Sequence, residues 1–227
     1  TTGSANTALG HFALQANSTG GSNVALGSEA LSANTSGNSN VAIGTQALMT
    51  SATVNNNTAV GNIALGSNTG ASNTAVGSGA LRNNSTGTQN VAVGANALYG
   101  AGGGSGSGNV TAGYDTMEST TTGNYNVALG YQSMWAHTSG NNNVAVGMQS
   151  LMSVSTGGNN TAVGYRAGYT GTAITSGTNN TFIGYGANST SATRTNSTAL
   201  GNGASTTADN QIVLGNTSVS EIRAQVT

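Results

Sequence analysis

The sequence predicts an all-β chain built as one β-solenoid of about thirteen coils, and three observations carry that prediction. A phrase close to Asn-(Val/Thr)-Ala-(Val/Ile/Leu)-Gly recurs, its glycine falling at Gly10, Gly27, Gly44, Gly61, Gly77, Gly94, Gly113, Gly130, Gly147, Gly164, Gly184, Gly201 and Gly215. Successive glycines are 17, 17, 17, 16, 17, 19, 17, 17, 17, 20, 17 and 14 residues apart. A sustained period of this length marks a stacked repeat. The apolar pieces are short, rich in β-branched residues and bounded by Gly and Asn, which favours strands over helices. Finally, the 227 residues contain no Pro, as stacked strands require when each N–H serves a neighbour.

Taken in order along one coil, residues 23–27 (NVALG) supply the first strand. Two residues later comes a second apolar piece, Ala30-Leu31, repeated as Ala47-Leu48, Ala64-Leu65, Ala80-Leu81 and Ala97-Leu98. It is predicted as a second short strand, and a polar Ser/Thr/Asn/Gly stretch then leads to the next coil. The spacings of 19 and 20 read as longer loops on an unchanged coil, near 101–108 and 170–177. The repeat domain is thus 1–215, with 216–227 a cap or junction. The Gly-rich stretch 100–108 reads as a flexible loop.

Asn precedes the first strand at Asn6, Asn23, Asn40, Asn57, Asn73, Asn90, Asn109, Asn126, Asn143, Asn160 and Asn180. Coils stacked about 4.8 Å apart would let these amides bond in a ladder; the alternative is a polar binding face. The repeated Gly suits a corner with positive φ or close approach of the next coil. In Val24-Ala25-Leu26 the large side chains share one face and Ala takes the other. Leu26 is placed in the stacked core, and Ala30 and Leu31 are expected to split between faces in the same way. Both faces of a coil are then partly apolar, which points to a homo-oligomer of rolls packed along their length.

Composition narrows function. The chain has 4 Lys+Arg, all Arg, against 5 Asp+Glu, for a net charge of -1, and only 4% charged residues; ordinary globular domains have about 25%. No basic stripe exists to neutralise phosphates, so no nucleic-acid partner is expected. No Cys is present, which excludes disulfides and thiolate chemistry. No apolar run approaches the roughly 18 residues of a membrane span, so no membrane insertion by this segment is expected. The start at Thr1 rather than Met reads as a fragment or processed product. Glu29, Asp115, Glu118, Asp209 and Glu221 are scattered, and His11 and His137 lie in different coils without a partner pattern. No enzyme, cofactor or metal is therefore expected.

The phrases NVALGSEAL, NVAIGTQAL, NTAVGSGAL and NVAVGMQSL resemble the head repeats of trimeric autotransporter adhesins. They are equally similar to collar-type repeats in tail fibres of tailed phages. The resemblance covers about residues 6–215 and implies a left-handed parallel β-roll wound as a homotrimer. The C-terminal NQIVLGN (210–216) with Ile222-Arg223 resembles the end of phage fibre shafts before an intramolecular trimerisation chaperone. Asp209, Glu221 and Arg223 also gather where a stack must end and guard its edge. The resemblance implies a virion tail fibre that presents loops to a host bacterium. Its partners would be a bacterial surface glycan or protein receptor and other fibre or baseplate proteins. The alternative is an adhesin head on a bacterial cell surface, binding host or matrix molecules.

One feature rises above the scaffold. Tyr114, Tyr131, Met148, Tyr165 and Tyr185 each follow the repeated Gly in adjacent coils. Tyr125, Trp135 and His137 lie in the same portion. With the tyrosines they are the candidate receptor-binding residues, unless the column faces inward as a packed ladder.

Overall fold

The computed structural model describes residues 2–100, 103–169 and 175–222. The coils open with short strands: β1 (Thr7–Leu9), β2 (Val24–Leu26), β3 (Val41–Ile43), β4 (Thr58–Val60), β5 (Thr74–Val76), β6 (Val91–Val93) and β7 (Val110–Ala112). They continue as β8 (Val127–Leu129), β9 (Val144–Val146), β10 (Thr161–Val163), β11 (Thr181–Ile183), β12 (Asn188–Ser189), β13 (Thr198–Leu200), β14 (Ser205–Thr206) and β15 (Ile212–Leu214). All but β12 and β14 form one 13-stranded parallel sheet in chain order. Equivalent residues align between coils, as in Ala25 with Ala42 and Leu26 with Ile43. Each crossover is one coil, so thirteen strands bound twelve turns of a parallel β-solenoid. No helix occurs among the described residues.

The second apolar piece of most coils is not a strand. Glu29 and Leu31 take left-handed φ values of +58° and +50°. The alternation this imposes turns Ala30 and Leu31 both inward, each fully buried, where an extended strand would send them to opposite faces. The segment still stacks: the Glu29 N–H donates to His11 O in the preceding coil, and the Leu31 N–H to Ala47 O in the following one. Only β12 and β14, late in the chain, pair as strands at this position. The repeated Gly is fixed by contact as well as by φ. Gly27 sits at +135°, and a methyl group there would lie 2.6 Å from the Gly44 carbonyl.

Orientation of the main sheet reverses the sequence expectation. Ala25, Ala42, Ala59, Ala75 and Ala92 point inward and are buried, whereas Leu26 is 40% exposed. The interior is thin: one Ala from the sheet meets an Ala-Leu pair from the opposite segment, and little else fits between. The Leu column runs Leu31, Leu48, Leu65, Leu81, Leu98, Met117, Met134 and Leu151, all buried. Gly168 then interrupts it. One coil on, Phe182 replaces the sheet Ala and is fully buried, its Cδ2 3.3 Å from where a methyl on Gly168 would sit. Removing one large side chain makes room for another.

Asparagines close the core at the strand entry. Asn126 is buried, and its Oδ1 accepts from the Asn143 N–H at 2.9 Å and the Asn143 Nδ2 at 3.1 Å. The Asn126 Nδ2 donates to Asn109 Oδ1 at 3.1 Å and to Gly140 O at 3.0 Å. The ladder reading therefore holds, and the row is not a solvent-facing binding surface. It crosses both long spacings intact, from Asn90 to Asn109 and from Asn160 to Asn180. Of the predicted loops, 101–102 and 170–174 lie outside the described residues, as do 223–227 with Arg223. Asp209 accepts from the Thr195 N–H and pairs with Arg194 at 3.3 Å, binding the last coil to its neighbour.

Two outcomes follow. Phe182→Ala should cost about 3–5 kcal/mol in a denaturant titration, and adding Gly168→Leu should recover most of it, since Leu occupies this φ region at Leu31, Leu48 and Leu65. Ser72, exposed at φ +61°, should accept Gly without loss, whereas Ser72→Val should cost about 1–2 kcal/mol in the same assay.

Candidate functional site

The left-handed segment that opens each second piece presents three outward columns, because only two of its residues turn in. The first column is the residue after the repeated Gly. In the second to sixth coils it is Ser28, Thr45, Asn62, Ser78 and Ala95. In the seventh to eleventh it becomes Tyr114, Tyr131, Met148, Tyr165 and Tyr185. All five reach the surface, with Tyr185 62% and Tyr114 50% exposed and Tyr165 half-buried. Tyr114 and Tyr131 stack at 5.9 Å between centroids and 9° between planes, and Tyr165 and Tyr185 at 5.2 Å and 21°. The column thus faces solvent on the single chain. Stacked rings cover one another's faces, so hydroxyls and ring edges are what it offers outward.

A polar column follows. Its members bond from coil to coil: Asn96 Nδ2 to Asp115 Oδ1 at 3.1 Å, Gln149 Nε2 to Gln132 Oε1 at 3.2 Å, and Arg166 Nε to Gln149 Oε1 at 2.8 Å. The Arg166 guanidinium also lies 5.2 Å from the Tyr165 ring centroid. Three residues further along each coil is a third column: Arg82, Tyr99, Glu118, Trp135, Met152 and Tyr169. Here Arg82 Nη1 donates to the Tyr99 hydroxyl at 3.1 Å, and the Trp135 indole N–H donates to Glu118. Sequence reasoning found Trp135 but missed Arg82, Tyr99, Met152 and Tyr169 as its companions. The signal was the same repeat spacing, counted from Trp135.

Tyr125 and His137 do not join this strip. Tyr125 is 66% exposed but stands at the other end of its strand, its ring over Gly108. His137 is fully buried, so it is not a receptor-facing residue. It occupies an interior column that earlier coils fill with Asn34, Ser51, Asn68 and Asn84, all buried. Asn34 Nδ2 donates to Gly37 O at 3.1 Å and to Asn17 Oδ1 at 3.0 Å. His137 copies that role, with Nε2 2.9 Å from Gly140 O and Nδ1 3.1 Å from the Thr120 hydroxyl. A carbonyl only accepts, so Nε2 carries the proton and Nδ1 accepts from Thr120.

Asp115 and Glu118, the two acids closest in sequence, are held in separate columns by Asn96 and Trp135. Among the described residues no three of His, Asp and Glu come together to hold a metal ion. The strip is an outward face that offers aromatic edges, hydroxyls and amides. The chain matches no protein-family model, and no curated protein sequence matches it.

Desolvation by burial lowers the His137 pKa from 6.5 to about 4, against a smaller upward pull from the Gly140 carbonyl. Below pH 6.5 the unfolded chain takes up a proton that the folded chain refuses. Stability is therefore complete above pH 6.5 and falls towards pH 4, by about 3 kcal/mol per chain. Thermal unfolding at stepped pH should show that loss, and His137→Asn should flatten the curve across this window.

Proposed function

We propose that this chain is a structural and adhesive segment of a homotrimeric surface fibre, a phage tail fibre by its repeat resemblance, that presents side chains to a bacterial surface without catalysis. The observation that supports the reading most is the outward face of the main sheet. Its third strand position is aliphatic in every coil, and Leu26, Val76, Val93, Val163, Ile183 and Leu200 are 38–44% exposed. The first position is Val or Thr, and Ile in the last strand. A flat apolar face running the length of a chain with so few charges needs cover. Further copies of the same chain, packed lengthwise about a common axis, cover it with equivalent residues and close by symmetry. In this reading the trimer is a virion component joined to other fibre or baseplate proteins.

The geometry suits a spacer. At about 4.8 Å per coil, twelve turns extend roughly 58 Å, with neighbouring coils bonded through the backbone and, as far as Asn180, through Asn side chains. Lateral association and interior folding separate cleanly at adjacent residues. Ala75 is fully buried and Val76 is 38% exposed. Sedimentation equilibrium of the wild type should give three chains. Val76→Asp should keep the β circular-dichroism signature and lose the trimer, whereas Ala75→Asp should lose both by burying an unpaired charge. A wild-type chain that sediments as a monomer would remove the fibre reading.

A further inference from the structure

We infer that the aromatic strip of the seventh to eleventh coils is the binding surface for an extended, uncharged oligosaccharide laid along the fibre axis. This rests on the adhesive reading above and names the ligand class of its site. The repeat supplies its own control. The second to sixth coils fold with Ser, Thr, Asn or Ala after the same Gly and make the same bonds between coils, such as Gln46 N–H to Ser28 O and Gln132 N–H to Tyr114 O. The fold has no need of Tyr114, Tyr131, Tyr165 and Tyr185, nor of Trp135 where the second coil has Ser32. Large rings left at the surface without a folding role call for another explanation.

The chemistry of the strip selects the ligand. Its rings stand outward as columns along the axis, which suits an extended ligand better than a compact small molecule, since the latter binds in concave sites. Hydroxyls and ring edges of the tyrosine column run beside the polar column of Asp115, Gln132, Gln149 and Arg166, so apolar edges and hydrogen-bonding groups lie next to each other across the strip. Tyr and Trp join an apolar body to a polar tip, which matches the C–H faces and hydroxyl rims of sugar rings. Five coils give a track about 19 Å long, suited to a chain of several sugar units. The strip carries one cation, Arg166, engaged by Gln149 and Tyr165, and two acids, Asp115 and Glu118, engaged by Asn96 and Trp135, so an anionic polymer finds little to hold.

The test uses the intact fibre protein and a triple variant, Tyr131→Ser, Trp135→Ser and Tyr165→Ser, each serine being the residue of the second coil at that position. Both are applied to an array of immobilised polysaccharides, neutral glucans, galactans and mannans beside polyanionic alginate and polysialic acid. We expect the wild type to bind at least one neutral polymer. The variant should bind it about tenfold more weakly with unchanged melting temperature and trimer state. Binding to polyanions alone, no binding to any neutral polymer, or equal binding by the variant overturns the proposal. Adhesion to whole bacteria separates the two readings. Adhesion that survives periodate oxidation of cell-surface sugars but is lost after protease treatment overturns the glycan assignment and leaves the adhesive fibre standing. If the fibre adheres to no bacterium in a broad panel, the adhesive reading itself fails.

Discussion

The buried asparagine ladder is the interaction on which the rest of the structure depends. Along the row each Asn Oδ1 accepts the backbone N–H of the next coil, and in most coils its side-chain amide as well, as Asn126 does from Asn143, whereas Asn57 takes only the Asn73 N–H. Its own Nδ2 closes the corner of the coil, onto Gly140 O in the case of Asn126. One residue thereby fixes the stacking distance, the strand register and the return of the chain. The buried amides are fully engaged, so any slip of register would strand several polar groups at once. This explains how spacings of 16 to 20 residues coexist with an unbroken sheet: extra residues are absorbed between corners. The ladder stops at Ser197, which donates its N–H to Asn180 Oδ1 but has no amide to pass on. The next repeated Gly then comes after only 14 residues.

Period and strand position were legible in the sequence because they depend on recurrence alone. Orientation was not. In Val24-Ala25-Leu26, size suggests that Val and Leu are inside, and in a thick sandwich they would be. This interior is too thin for that, so Ala25 fills the inside and Leu26 lies on the outer face. The second apolar piece was misread for a related reason. Ala30 and Leu31 are both needed inside, and only a left-handed residue lets neighbours share a face. Nothing in Glu29 or Leu31 as residue types announces φ near +50°; the whole stack imposes it. His137 was hidden in the polar run AHTSGNNN, and only its 17-residue offset from Thr120 marks it as an interior column.

Near-identical coils also allow an argument that single-copy folds do not. Where the same position is Ser, Thr, Asn, Ala, Tyr or Met in different coils and the backbone bonds do not change, the side chain is free of folding duty. That criterion clears Asn126, whose counterparts nearly all remain Asn, and singles out Tyr131. It sorts the outer sheet face differently again. There the third position is aliphatic in every coil although it does not fill the interior, the pattern that the proposed lengthwise packing of copies would require. The two surfaces thus carry different signatures, one uniform and one confined to five coils.

The left-handed residues connect stability to that division of labour. Non-glycine residues at positive φ recur in almost every coil, each an unfavourable choice for an isolated segment by roughly 1 kcal/mol. No coil is stable alone; each is held by the bonds it makes to the coils on both sides, as in other one-dimensional repeat proteins. Such a stack is weakest at its ends, where β1 is exposed at all three residues. The aromatic strip lies on the seventh to eleventh coils, all with a bonded coil above and below. Its rings are therefore held at the spacing of the rod, and a ligand that spans several of them binds a surface already ordered for it.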